Sequence, residues 1–370
     1  MQRRDLLVLI AAASIAPLAR AGSRAERADV LVTTRPRAGS RIPAFASLGD
    51  ALAAAPGGDA PYRVGIDAGT WHEKITIDRA NVHLIGAGRA RSTLRFDAAA
   101  GDRDAQGELW GTWGCASVRV RAPGFRARAL TIANGFDYLA HLRAPRLETI
   151  GANGAQAVAL MLDVGSEDAR IEDCDLIGHQ DTVFVDAGRS RFDACTIRGS
   201  VDFVFGAGQA LFSCCTLVSR QRPGKPRQGY VAAPSTSLAA ASGLVFHRCR
   251  LLAERGVPAA TVALGRPWRP TRTFADGRYG DPDAVGAAAF IACTLGAHIA
   301  AEGWDAMNTT ARDGTRVALE PFAARFAEHA NSGPGARWHV ARHQLSAQQA
   351  RALLDAAGAD SFAGVAGAER

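Results

Sequence analysis

The sequence predicts an all-β chain wound as a single-stranded parallel β-helix, a solenoid with a short N-terminal capping helix and a C-terminal helical tail. Three observations carry this. Gly178-His179-Gln180-Asp181-Thr182-Val183-Phe184 returns twenty-one residues later as Gly199-Ser200-Val201-Asp202-Phe203-Val204-Phe205, glycine on glycine and aspartate on aspartate. A looser phrase, an apolar residue followed five positions later by leucine or isoleucine, recurs as Phe125 to Leu130, Ile171 to Leu176, Phe192 to Ile197, Phe212 to Leu217, Phe246 to Leu251 and Phe290 to Leu295. Finally, 39 glycines and 16 prolines punctuate short valine, isoleucine and phenylalanine runs, as brief strands divided by turns require. A period near twenty residues with strands and no helical pattern is the mark of a solenoid, in which each coil buries its apolar face against its neighbours.

The chain of 370 residues opens on Arg3-Arg4, an apolar run from Leu6 to Leu18 and the small-residue site Ala19-Arg20-Ala21. That pattern reads as an export signal of the twin-arginine type over residues 1–21, too short to span a membrane, so the mature chain is expected in the periplasm or outside the cell. Residues 22–43 read as a flexible lead, 44–345 as the β-helix and 346–370 as a C-terminal helix and tail. Within the β-helix, Ser47 can cap a helix running to Ala55, stopped by Pro56-Gly57-Gly58 and placed to cover the open end of the core. Tyr62 to Ile66, Ile75 to Ile77 and Val82 to Ile85 follow as strands, separated by turns too short for crossover helices, which excludes a doubly wound sheet. Leu345 to Ala357 reads as an amphipathic helix, and residues 360–370 as a disordered tail.

Cys174, Cys195, Cys215, Cys249 and Cys293 each take the fourth place of the recurring phrase. They are read as small apolar side chains filling one ladder. A disulfide from Cys195 to Cys214 or Cys215 is the alternative, since neighbouring coils bring Cα atoms into bridging range. Cys115 has no visible partner.

The net charge of +7 would suit a polyanion, yet all but two of the 43 basic residues are arginine, the pattern of a composition bias, and no basic run interleaves with aromatics. A nucleic-acid partner is therefore not expected. Neither HExxH nor CxxC occurs, and there is no GxSxG elbow or phosphate loop, so no metal or cofactor is expected and the chemistry falls to carboxylates.

Asp181 lies ten residues after Ile171 and Asp202 ten after Phe192, so both occupy one phase of successive coils, which in a parallel stack are about 4.8 Å apart. Two carboxyls so placed cannot both ionise freely; one keeps its proton while the other stays anionic, which is the division an acid and a nucleophile need. Gln180 beside the pair is an uncharged donor, and Gln156 falls about one coil upstream. Arg266 can bind a carboxylate bidentately, and Trp268 offers an indole to a sugar face. Asp173, Asp175 and Asp186 lack such company and are read as solvated; His179 is read as a satisfied structural histidine.

These residues resemble the pectinesterases (pectin methylesterases). The motifs come in order from about Ala44 to Gly303: Gly69-Thr70-Trp71-His72-Glu73, Gln156-Ala157-Val158-Ala159-Leu160, Gly178-His179-Gln180-Asp181-Thr182, Asp202-Phe203-Val204-Phe205-Gly206 and Leu264-Gly265-Arg266-Pro267-Trp268. The resemblance implies a right-handed β-helix of the bacterial secreted type. It implies Asp202 as nucleophile, Asp181 as acid and then base, Gln156 and Gln180 as oxyanion donors and Arg266 as the partner of Asp202. It also implies Trp268 as a substrate platform, with Thr112 and Phe205 as further substrate contacts. Met161 and Ala207 depart from the family, which commonly has arginine and asparagine there. The implied partner is pectin, met by a monomer without a membrane. A pectin-binding protein, or a β-helix glycosidase or lyase, is the alternative, though the Gly-His-Gly and Arg-Ile-Lys motifs that mark polygalacturonases are absent.

Overall fold

The computed structural model describes residues 28–36, 39–150 and 154–359. The signal at 1–21 and the tail at 360–370 lie outside the described residues. Three parallel sheets of eleven, eight and seven strands form the faces of the chain; each complete coil contributes one short strand to each, and the coils at the two ends contribute to fewer. Register is kept from coil to coil: Ile171 pairs with Phe192, Phe192 with Phe212, Phe212 with Phe246 and Phe246 with Phe290. The chain is a parallel β-helix.

Inward residues stack because the register brings like onto like. The rings of Phe192, Phe212, Phe246 and Phe290 lie 4.6, 4.7 and 4.4 Å apart, near parallel, and bury almost completely. The cysteine column beside them is a thiol ladder. All seven cysteines are free, and in four successive rungs Sγ points at a carbonyl of the preceding coil, as in Cys195 to Ile171 O at 3.4 Å and Cys249 to Phe212 O at 3.3 Å. Cys115 is buried with its Sγ near Gln156 O and is likewise free; burial pushes its thiol up to about 12.

Four expectations need correction. The first phrase of the repeat is two residues out of register: Ile171 stacks on Ala127 and Leu176 on Ile132, not on Phe125 and Leu130. Large and small inward positions are exchanged in that coil, Phe125 before Ala127 where Ala169 precedes Ile171, so counting large residues misplaced it. The lead holds a strand, Val30–Val32, inserted between Ala44–Phe45 and Tyr62–Ile66, because Val30 and Val32 bury against the core. Gly69–His72, read as turn and motif, is also a strand and starts the eight-stranded sheet. Asp173, Asp175 and Asp186 are not simply solvated: Arg89 pairs with the first two at 2.7 and 3.3 Å, and Asp186 accepts from Trp113 Nε1 at 2.9 Å.

Helices close the structure where strands cannot. Leu48–Ala53 starts on the Ser47 side chain, which accepts from Asp50 N, and buries Leu48 and Ala51 over the first coil. Ala347–Ala356 starts with a capping box between Ser346 and Gln349 and lays Ala350, Leu353 and Leu354 on Leu211, Val245 and Ala289, the outer face of the eleven-stranded sheet. No helix among the described residues is long and apolar enough to cross a membrane.

Candidate active site

Each coil turns from the eight-stranded to the seven-stranded sheet through a corner, and in two successive coils the corner residue is an aspartate with left-handed backbone: Asp181 at φ 64° and Asp202 at φ 49°. Aspartate tolerates this region better than most residues. The glycines that open both corners are steric necessities; a Cβ on Gly199 would meet Phe203 Cβ at 2.1 Å, and one on Gly178 would meet Thr182 Oγ1 at 2.7 Å. Thr182 Oγ1 bonds Arg198 O, and the parallel bridge of Gln180 with Val201 fixes the two corners in register. Both aspartates are therefore one rung apart on the same outward column, and the pairing of Val204 with Ala232 makes Tyr230 the next rung.

Charge separates the two carboxyls. Arg266 grips Asp202 bidentately, Nε to Oδ1 at 2.9 Å and Nη2 to Oδ2 at 2.6 Å. Arg266 directly follows Val262–Gly265, the strand beyond that of Tyr230, so its side chain reaches back across one coil, the guanidinium lying 3.9 Å from the Tyr230 ring. No ion pair involves Asp181 among the described residues; burial first and the neighbouring Asp202 second raise its carboxyl well above the usual carboxylate range. The arrangement is one carboxyl gripped bidentately by arginine beside a second, buried carboxyl whose protonated form is favoured.

Gln156 stands one coil before Asp181, where Ala157 N donates to Gln180 O at 3.1 Å. Its Nε2 donates to Ile150 O at 3.1 Å, and its buried Oε1 has no partner. Gln180 is buried beside Asp181. Gln156, Gln180, Asp181, Asp202, Arg266, Trp268, Thr112 and Phe205 all line one cleft of about 370 Å³, so the residues singled out from sequence come together. Phe205 is only 2% exposed, stacked on Phe184 at 4.1 Å and edge-on to Trp268 at 5.6 Å, so it backs the platform more than it presents a face. Met161 lies buried below Phe184 in the same outward column. A larger hollow of about 600 Å³ under the C-terminal segment is mostly apolar and has no carboxylate in its lining.

His179 is a packing histidine, though not a satisfied one. It stacks on Tyr138 at 4.9 Å, its Nδ1 has no hydrogen-bond partner, and burial pushes it down to about 3, so it is neutral. Among the described residues no cluster of three or more histidine, cysteine or acidic side chains could hold a metal ion.

Sequence reasoning missed the far wall of the cleft. Two antiparallel hairpins, Thr271–Phe274 with Gly277–Gly280 and Met307–Thr310 with Arg316–Leu319, bring Arg278, Met307 and Arg316 to it. The signal was present: Asp276-Gly277 and Asp313-Gly314 are hairpin turn dipeptides inside the longer gaps of the repeat. Tyr230 and Trp113 were missed because neither stands in a repeated phrase.

Comparison with known proteins points one way. The sequence pattern of the family described as Pectinesterase matches residues 39–364. Pectinesterase A of Dickeya dadantii is 38% identical over 310 residues, 83% of this chain and 84% of that protein. A crystal structure of a pectin methylesterase in complex with a hexasaccharide superposes with a TM-score of 0.85 at 37% identity, covering 90% of this chain and 98% of that one. The pectin methylesterase from Yersinia enterocolitica follows at a TM-score of 0.80 and 42% identity, over 83% and 96% of the two chains.

Proposed function

The chain belongs to the pectinesterase family, and on that premise we propose that Asp202 and Asp181 divide the work of removing methyl esters from galacturonate units of pectin. The enzyme is a carboxylic ester hydrolase. Asp202 attacks the C6 carbonyl carbon, the amides of Gln156 and Gln180 donate to the developing oxyanion, and Asp181 gives its proton to the departing methoxide. The product of this half is methanol and an anhydride between Asp202 and the galacturonate. Asp181, now a carboxylate, takes a proton from water as it attacks the anhydride; Asp202 leaves as carboxylate, Asp181 is again an acid, and the galacturonic acid formed gives its remaining proton to solvent, leaving a free carboxylate on the polymer.

The observation that supports this division is the asymmetry of the pair: Arg266 holds both oxygens of Asp202, while burial and the neighbouring Asp202 favour the protonated form of Asp181. Stacking on Trp268, and contacts from Thr112 and from the Phe205 edge, orient the sugar so that its ester faces Asp202. Arg278 and Arg316 on the far wall, which carry no ion pair among the described residues, suit neighbouring units that already bear carboxylates.

Methanol release from methylated pectin tests the assignment. Asp202→Ala should lose it by roughly four orders of magnitude or more, with folding retained. Full activity in that variant would sink the mechanism, and new reducing ends without methanol would mark glycosidic cleavage instead.

A further inference from the structure

Asp186 lies at the trailing end of Val183–Val185, the three-residue strand whose leading end carries Asp181. It accepts a hydrogen bond from Trp113 Nε1 at 2.9 Å. Among the described residues no salt bridge ties it, although three charged groups surround it: Asp163 and Arg119, paired with each other, and Arg272, paired with Asp281. Among the described residues, its side-chain hydrogen bond is to the indole.

Trp113 sits on Gly111–Gly114, a single helical turn that begins without a side-chain cap. A lone turn does not hold a large side chain by its own stability. Yet the indole is well placed: edge-on to Phe184 at 5.3 Å, 6.2 Å from Trp268 at a 42° tilt, on the cleft wall and 41% exposed. Two rings with their centroids 6.2 Å apart leave no room for a sugar between them, since two stacking contacts would need about 7 Å. They form a V-shaped shelf whose outer faces are open. Trp268 is held by Phe205 and Phe184 beneath it; Trp113 has the Phe184 edge and Asp186.

We propose that Asp186 is a positioning residue that holds Trp113 as the second half of the sugar shelf begun by Trp268. The ligand is the apolar face of a methyl-esterified galacturonate unit next to the one being hydrolysed. The proposal deepens, and rests on, the esterase reading of this cleft. The Trp113 tether acts on binding, so it moves KM and leaves chemistry at Asp202 alone. Strand Val183–Val185 gives it rigidity: Asp186 N donates to Leu162 O of the preceding coil at 2.8 Å, so the backbone that bears the carboxylate is held in the sheet.

The test is a double-mutant cycle read by methanol release and, separately, by calorimetric binding of a methylated oligogalacturonide. Asp186→Ala should raise KM and weaken binding roughly three- to tenfold while kcat stays within about twofold. Asp186→Asn keeps an acceptor for the indole and should restore KM. In a Trp113→Phe background, which has no N–H to hold, Asp186→Ala should add nothing further. An equal loss in both backgrounds, a fall in kcat with KM unchanged, or a KM unaltered by Asp186→Ala would each overturn the proposal. A wild type that binds the oligogalacturonide without releasing methanol would sink the esterase reading and leave the binding arm to decide on Asp186; failure to bind it would overturn the shelf as well.

Discussion

Two kinds of corner in the same coil can be set side by side. Where the eleven-stranded sheet passes to the eight-stranded one, the chain turns on Ala129, Asp173, Ala194, Cys214, Arg248 and Ala292, all with φ between 50° and 55°. Where the eight-stranded sheet passes to the seven-stranded one, Asp181 and Asp202 turn at 64° and 49°. The backbone demand is the same: the first corner accepts alanine, arginine, cysteine or aspartate, and the second, which turns on Ala260 at 56° before Val262–Gly265, carries aspartate only in the two coils of Asp181 and Asp202. The bend therefore does not require a carboxylate. What distinguishes the second corner is its outlook, onto a cleft with an arginine at one end and aromatic rings along its side.

The comparison breaks most sharply if the same substitution is made at each corner. Asp202→Ala should abolish methanol release, as stated above, whereas Asp173→Ala, half-exposed and paired with Arg89, should leave it within about twofold and cost at most about 1 kcal/mol of stability. Equal losses at both corners would mean that the aspartate is structural.

Next comes Asp181→Asn, which should lower kcat by roughly 10²–10⁴. In the wild type, kcat/KM should fall as pH climbs through the raised Asp181 value, where the acid loses its proton. Stability has the same sign: the contribution of protonated Asp181 is fully present below the unfolded carboxylate range and is lost as pH rises toward the folded value. Asp181→Asn, which cannot ionise, should therefore melt about 1–3 °C above the wild type at neutral pH, with the gap closing on acidification. A thermal melt across pH checks this, and a variant melting lower at neutral pH would contradict it.

A smaller effect separates the rung above. Tyr230→Leu removes the ring under Arg266 and should reduce kcat/KM about three- to tenfold through a looser grip on Asp202. The smallest belongs to the first corner: Ala194→Gly exchanges left-handed strain against unfolded-chain freedom, two terms of about 1 kcal/mol, and should shift Tm by less than about 2 °C with activity unchanged.

Much of this was legible because a solenoid converts spacing into distance. An offset of twenty-one residues between Asp181 and Asp202 became adjacency, and Gln156 fell one coil upstream as its position suggested. The pattern failed where volume, not spacing, decides: Phe125 and Ala127 trade places with Ala169 and Ile171, and the repeat appeared to begin two residues early. It was silent where the chain leaves the coil, in the two hairpins of the far wall, though their Asp-Gly turns were readable. Which carboxyl keeps its proton could not follow from a repeat that makes the two equivalent; a bidentate arginine reaching back across Tyr230 breaks that symmetry, and no count along the chain reveals it.

Gln156, Asp181, Asp202, Tyr230 and Arg266 are each borne by, or sit at the edge of, five successive strands of the seven-stranded sheet, a stretch of ~19 Å along the axis. Coils of a solenoid melt and re-form against their neighbours. Val262–Gly265, which leads into Arg266, is the last strand of this sheet, so fraying from the N-terminal side leaves the block untouched while fraying from the C-terminal side reaches its arginine end first. Within it, opening any one coil breaks the whole. These five strands thus form a section of fixed length, with two further strands of the sheet before it and none after, so coils at the N-terminal end can be added or removed like carriages behind an engine without altering the spacing of these five side chains.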